Sequence, residues 1–140
     1  MRKAFTIIEI LIVVVMISIL SGMSYFALNS IRDSLDVNYA AKQVLSDVRY
    51  AQELAKTVHF PHQVEFVRNG SLYQIVNLDD DSIVKAEKVP DGVRFDGKDV
   101  FIFSVSGNPA VGGSGTLIIM NVKGKSKKVV VSSIGRIRIE

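Results

Sequence analysis

The stretch Phe5-Thr-Ile-Ile-Glu9-Ile-Leu-Ile-Val-Val-Val-Met-Ile-Ser-Ile-Leu20, preceded by Met1-Arg-Lys-Ala4, decides how this chain is organised. Two basic residues and a small one lead into an apolar run whose one charge is Glu9, and from Ile10 to Ile31 there is no charge at all. An uncharged apolar run of that length can span a bilayer as a helix. A carboxylate at the centre of such a span costs about 2.5–3.5 kcal/mol, and less near the interface. Glu9 is therefore read as a functional residue that needs a partner of opposite charge. A secretory signal peptide would need a small-residue cleavage site after the apolar core. Leu20-Ser-Gly22-Met-Ser24 supplies only a weak one, the basic region is short, and Glu9 interrupts the core early. An uncleaved signal anchor accounts for the length and, through the basic leader, a cytoplasmic N-terminus. It leaves Glu9 unpaired.

Beyond Arg32-Asp33 the apolar pattern changes character. Val37, Ala41, Val44, Val48, Ala51, Ala55 and Val58 recur at alternating spacings of four and three, one stripe of a helix. Leu45 and Leu54 widen it, whereas Lys42, Asp47, Arg49, Gln52, Glu53 and Lys56 fall mostly off it. With no proline before Pro61, one helix is expected from about Phe5 to Thr57, apolar all round in its first half and amphipathic in its second. Gly22 is its nearest weak point.

After Pro61 the period becomes two. Gln63–Arg68 and Ser71–Val76 flank Asn69-Gly70 and predict a hairpin. Ile83–Val89, Val93–Phe95, Val100–Val105, Thr116–Val122 and Val129–Ile134 are further strand candidates, with Ile137–Ile139 extending the last. The fold class is α+β: a long N-terminal helix packed on a C-terminal antiparallel β-sheet domain.

Roughly 110 residues remain once the apolar N-terminus is set aside, enough for one small domain with one core. The chain has no cysteine, so packing alone must hold that domain. The formal charge of +3 falls to +1 without Arg2 and Lys3, so basic character is local.

The order basic leader, small residue, Phe5, Glu9 and apolar span resembles the class III signal of type IV pilins and type II secretion pseudopilins. The resemblance implies cleavage by a membrane peptidase between Ala4 and Phe5 and methylation of the new amine. It also implies that the Glu9 carboxylate pairs with the Phe5 amine of a neighbouring subunit during assembly. Two departures are visible. Ala4 stands where the family carries glycine, and the helix-kinking proline near Phe26 is missing, the first proline being Pro61. The C-terminal half, with Phe103-Ser-Val-Ser-Gly107, Gly113-Ser-Gly115, Thr116-Leu-Ile-Ile119 and Val129-Val-Val-Ser-Ser-Ile-Gly135-Arg-Ile-Arg138, is similar to the GspH/FimT group of minor pilins and H-type pseudopilins. The implied organisation is a leader at 1–4, a membrane and filament-core helix at 5–31, its amphipathic continuation at 32–60, and a sheet domain at 61–140. The implied partners are other pilin or pseudopilin subunits, the prepilin peptidase and the inner membrane. The implied location is the inner membrane before assembly and a periplasmic or extracellular filament after it.

No catalytic or cofactor constellation is present in the sequence, and the chain is read as a non-enzyme. His59 and His62 flank Phe60-Pro61, and the proline prevents a shared helical face. Asp79-Asp80-Asp81 lacks the ligand spacing of a calcium loop, and Gly112-Gly-Ser-Gly115 lacks the lysine of a phosphate loop and reads as a flexible connection. Partner chemistry is left to the basic end. Lys123, Lys125, Lys127 and Lys128 fall in six residues, and Arg136 and Arg138 follow. An extended Gly135–Ile139 would put both guanidiniums on one side, about 7 Å apart, with Ile137 and Ile139 on the other. Gly135-Arg-Ile-Arg138 also matches the Gly-Arg-x-Arg motif of FimT-like minor pilins. That implies DNA as a partner in an uptake role, held through its phosphates by Arg136 and Arg138 with help from the lysines. The bland reading is a solvated, charged sheet edge.

Overall fold

The computed structural model describes residues 6–140, and the side chains of all of these except 23–31 and 33. The expected cleavage pair, Ala4 and Phe5, lies outside the described residues, as does part of the expected span over 5–31. Among the described residues, no helix is long and apolar enough to cross a membrane.

Helix α1 runs from Ile7 to Val58. It begins where Thr6 caps it: the Glu9 amide bonds to the Thr6 carbonyl at 3.1 Å and to its hydroxyl at 3.4 Å. Thr6-Ile-Ile-Glu9 is thus spaced as a capping box, a local signal that the sequence reading passed over. Ser18, a polar residue within the apolar half, bonds its hydroxyl to the Val14 carbonyl at 2.8 Å. The helix ends at His59, whose positive φ of 60° turns the chain before Pro61.

Two compact units divide the chain, residues Met1–Asp33 and Ser34–Glu140. In the second, the expected stripe is buried from Val37 to Ala55, joined by Ala40. Val58, the last member of the expected stripe, is exposed. Eight strands follow: β1 (His62–Phe66), β2 (Leu72–Asn77), β3 (Ile83–Lys88), β4 (Val93–Gly97), β5 (Val100–Phe103), β6 (Gly115–Asn121), β7 (Ser126–Val131) and β8 (Ile137–Ile139). They form two antiparallel four-stranded sheets, β3-β2-β1-β5 and β4-β6-β7-β8. Alternation turns Val64, Phe66, Tyr73, Ile75, Phe101 and Phe103 of the first sheet into the core, and Phe95, Leu117, Ile119, Val129, Val131 and Ile137 of the second. Phe66 joins the two: its ring packs on Tyr73 and Phe101 within its own sheet and on Phe95 of the other, at centroid distances of 5.6, 5.7 and 5.2 Å.

Three expectations need correction. Ile137–Ile139 is not a continuation of the preceding strand. A turn closed by Gly135 N–H on the Ser132 carbonyl at 2.9 Å folds it back to pair with β7. The Asn69-Gly70 hairpin exists, but its connection is longer than a two-residue turn. The loop backbone engages β4, with Asn69 N–H donating to the Phe95 carbonyl and Phe95 N–H to that of Gly70. The glycine-rich segment after Gly107 is not a loose tether either. Ala110 N–H bonds to the Ile102 carbonyl, and a Cβ on buried Gly113 would lie 2.2 Å from that same oxygen.

Candidate functional site

Two sets of residues carry functional expectations, and they lie in different units. Glu9 sits in the first turn of α1, exposed among exposed apolar side chains such as Ile8, Ile10, Ile12 and Val13. A carboxylate there also meets the positive end of the helix dipole. An apolar surface of this kind, left bare, is what a membrane or a neighbouring helix covers.

The basic end of the chain is organised by β7 and β8. Their register places Val131 opposite Ile137 and Val130 opposite Arg138. Ile137 is buried and Ile139 packs against the core, so Arg138 projects from the opposite, exposed face. The turn carries Arg136 to that same face, because Ser132 N–H bonds to the Arg136 carbonyl and Ser132, just past the end of β7, continues the outward alternation of Lys128 and Val130. The two arginines therefore share a side, as alternation predicts.

Lys123, Lys125 and Lys127 do not join them, whereas Lys128 shares their outer face. The β6–β7 turn that carries Lys123 and Lys125 sits at one end of β7, and the turn that carries Arg136 sits at the other, about 20 Å away along a six-residue strand. Lys127 lies opposite Ile119, on the core-facing side, whereas Lys128 lies opposite Ile118, on the outer one. The expected single patch is thus divided between two turns and two faces. Arg138 is further engaged: its Nη2 lies 2.6 Å from the Glu140 carboxylate. Glu140 is itself held opposite Lys128 by a pair of backbone hydrogen bonds.

Each turn is rigid for a stated reason. Buried Asn121 accepts the Lys123 and Lys125 amides on its Oδ1 at 3.1 and 3.0 Å, closing the lysine turn around Gly124. At the arginine turn, the Gln52 amide donates to the carbonyls of Gly107 and Gly135, at 2.7 and 2.9 Å. Gly135 has a φ of 78°, and a Cβ there would approach Gln52 Nε2 to 3.0 Å. The glycine of the Gly-Arg-Ile-Arg sequence therefore has a packing role of its own. Arg49 adds a bond from Nη2 to the Ile137 carbonyl at 3.3 Å.

One polar cluster escaped the sequence reading. Asp47, placed off the stripe, is buried and accepts the Tyr73 hydroxyl at 2.5 Å and the Lys85 ammonium at 2.8 Å. Its spacing was the available signal, since Ala40, Val44, Asp47 and Ala51 recur at intervals of four, three and four. His62 is buried with Nδ1 2.9 Å from the Phe60 carbonyl, and exposed His59 faces the Lys56 carbonyl. Asp80 turns its carboxylate to Ser82 at 2.7 Å. Among the described residues, no group of three or more His, Cys, Asp or Glu side chains could hold a metal ion.

Residues 1–25 match the prokaryotic N-terminal methylation motif. No curated protein matches the chain. Among solved structures, the chain is similar to the type IV minor pilin FimU of Pseudomonas aeruginosa, at 17% identity and a TM-score of 0.65 over 77% of this chain and 90% of that one. It is likewise similar to the minor pseudopilin EpsH of the Vibrio cholerae type 2 secretion system, at 15% identity and a TM-score of 0.62 over 75% and 96%. The chain thus carries an N-terminal methylation motif and has a fold similar to those of a type IV minor pilin and a minor pseudopilin.

Proposed function

We propose that this chain is a minor structural subunit of a type IV pilus or a type II secretion pseudopilus. It is held in the inner membrane by its N-terminal helix, cut between Ala4 and Phe5, methylated on the Phe5 amine and assembled through Glu9. The observation that carries this reading is the exposed Glu9 among exposed apolar side chains in the first turns of α1, inside the matched methylation motif. In a filament the neighbouring helices would cover the apolar face, and a neighbour's amine would neutralise the acid.

The test is Glu9→Gln in the native host, followed by separation of sheared filaments from membranes. Glutamine keeps the capping pattern with Thr6 and removes only the charge. Loss from the filament fraction with normal membrane insertion is expected. Normal assembly of the variant would refute the role of Glu9. Mass spectrometry of the mature N-terminus reads cleavage and methylation directly.

A second reading, DNA capture for uptake, is favoured by one observation: Arg136 and Arg138 share an exposed face. It predicts salt-dependent DNA binding by the full chain that falls sharply in an Arg136→Ala/Arg138→Ala variant. No binding at low salt by the folded chain would remove it.

A further inference from the structure

Three loops gather at one end of the second unit, the end at which α1 enters it at Ser34. Tyr39 and Gln43, in the first turns after that point, line one cleft with Lys88, Pro90 and Asp91 of the β3–β4 connection. Asp91 and Arg94 line a second cleft with residues 69–71 and with Val122 of the β6–β7 turn. The opposite end is marked by Gln52, roughly 20 Å further along α1, which holds Gly107 and Gly135. The lysine turn therefore stands at the entry end of the unit and the arginine turn at the far one.

The entry end is basic. Lys123 and Lys125 are exposed on either side of Gly124, and exposed Arg94 stands opposite Met120, two residues before Val122. The acid in that cleft, Asp91, is turned to Lys88 at 2.6 Å. Val122 is 75% exposed, an apolar tip beside the two lysines. The turn is set before anything binds: Asn121 Oδ1 accepts the Lys123 and Lys125 amides, and its carbonyl accepts the Gly124 amide at 3.1 Å. Docking it costs little ordering.

Lysines attract anionic headgroups as point charges, and a small apolar side chain beside them can enter the headgroup layer. The expected span, residues 5–31, ends three residues before Ser34, so the chain itself tethers this end of the unit to the membrane surface. Tethering stands in for a long polybasic run, because a second contact by an anchored chain is intramolecular and needs few charges.

We propose that the turn of residues 122–125, with Arg94 beside it, docks on anionic phospholipid headgroups of the membrane that holds the N-terminal helix. This rests on the membrane-anchored subunit reading above, and it gives the unassembled subunit a second membrane contact.

The chain has no cysteine, so one introduced cysteine takes one label. The full chain carrying Val122→Cys, labelled with a polarity-sensitive fluorophore, would be reconstituted into vesicles of phosphatidylcholine alone, or of phosphatidylcholine and phosphatidylglycerol in equal parts. A blue shift and quenching by nitroxide-labelled lipid are expected only with phosphatidylglycerol, and high salt should reverse both. A label on Ile134→Cys, at the far end and 73% exposed, should behave alike in the two vesicles. Lys123→Glu/Lys125→Glu should lower the docking constant about ten-fold or more. Asn121 holds only the backbone amides of these lysines, so the turn keeps its shape in that variant.

A label at 122 indifferent to lipid composition, one unmoved by the charge reversal, or a label at 134 that responds as strongly would each overturn the docking. A label at 122 that ignores the vesicles and shifts on added double-stranded DNA would overturn it in favour of a nucleic-acid surface. If the chain floats with the vesicles while the label stays in water, the docking is wrong and the anchored reading stands. If the chain floats with neither vesicle, the anchored reading itself fails.

Discussion

Asp47 on α1 and Tyr73 on β2 share a buried hydrogen bond of 2.5 Å that ties the helix to the first sheet. Lys85 on β3 bonds the other carboxylate oxygen at 2.8 Å and also lies 3.4 Å from Glu87, so the acid is not left uncompensated. Tyr73→Phe removes the hydroxyl and keeps the ring that packs on Phe66. A loss of about 1–3 kcal/mol is expected, because a buried acceptor loses one of its donors. Urea unfolding of variant and parent measures it.

The same cluster sets an alkaline limit. Burial, and then the bond to Asp47, push the Tyr73 hydroxyl well above its ordinary value of 10.0. The bond to Asp47 raises the Lys85 ammonium above 10.5. Both groups are held in their protonated form by the fold, so the stability they contribute is fully present below their unfolded values. It is lost as pH rises beyond those values. Unfolding free energy should therefore decline above about pH 10, and less steeply in Tyr73→Phe.

Gln52 should prove more sensitive than its half-buried position implies. Gln52→Ala leaves the carbonyls of Gly107 and Gly135 without their shared donor, a loss of about 1–3 kcal/mol. Gly135→Ala adds a Cβ to a residue at φ 78° and 3.0 Å from the Gln52 amide, a strain of about 1–3 kcal/mol. Asymmetric broadening of amide signals near Arg136 in either variant would place the damage at the turn, and thermal unfolding gives its size.

Phe66 should be among the costliest core positions. Its ring touches aromatic side chains of both sheets, so Phe66→Ala opens a cavity at their junction and should lose about 3–5 kcal/mol. A loss under about 1 kcal/mol would mean the junction collapses without it.

The periodic parts of the chain were legible without coordinates. Val37 to Ala55 at helical spacing and the alternating strands after Pro61 state their buried faces directly, because burial and period are one signal there. Interactions between elements were not. The pull of β4 on the Asn69-Gly70 loop, the reversal at Gly135 and the Tyr73 and Lys85 partners of Asp47 all depend on which element lies alongside, and no local pattern encodes that. Among the candidate site residues, the shared face of Arg136 and Arg138 follows from alternation alone. The separation of Lys123 and Lys125 from them does not, because it required knowing that β7 and β8 pair antiparallel across a turn. Glu9 stood out as a lone charge in an apolar run, yet its spacing from Thr6 carried a second, helix-capping message.

Arg49 and Gln52 find acceptors on residues 88 and 83 positions further along the chain. A ribosome delivers such partners seconds apart at ordinary elongation speeds of roughly 5–20 residues per second. The helix is complete long before the strand that closes the second sheet exists, and every intermediate length exposes the Val44–Ala55 stripe to whatever else is near. Helix formation and closure of the second sheet are thus separate events in the life of this chain, and a chaperone or neighbouring helix has a defined interval in which to hold the stripe before β8 arrives.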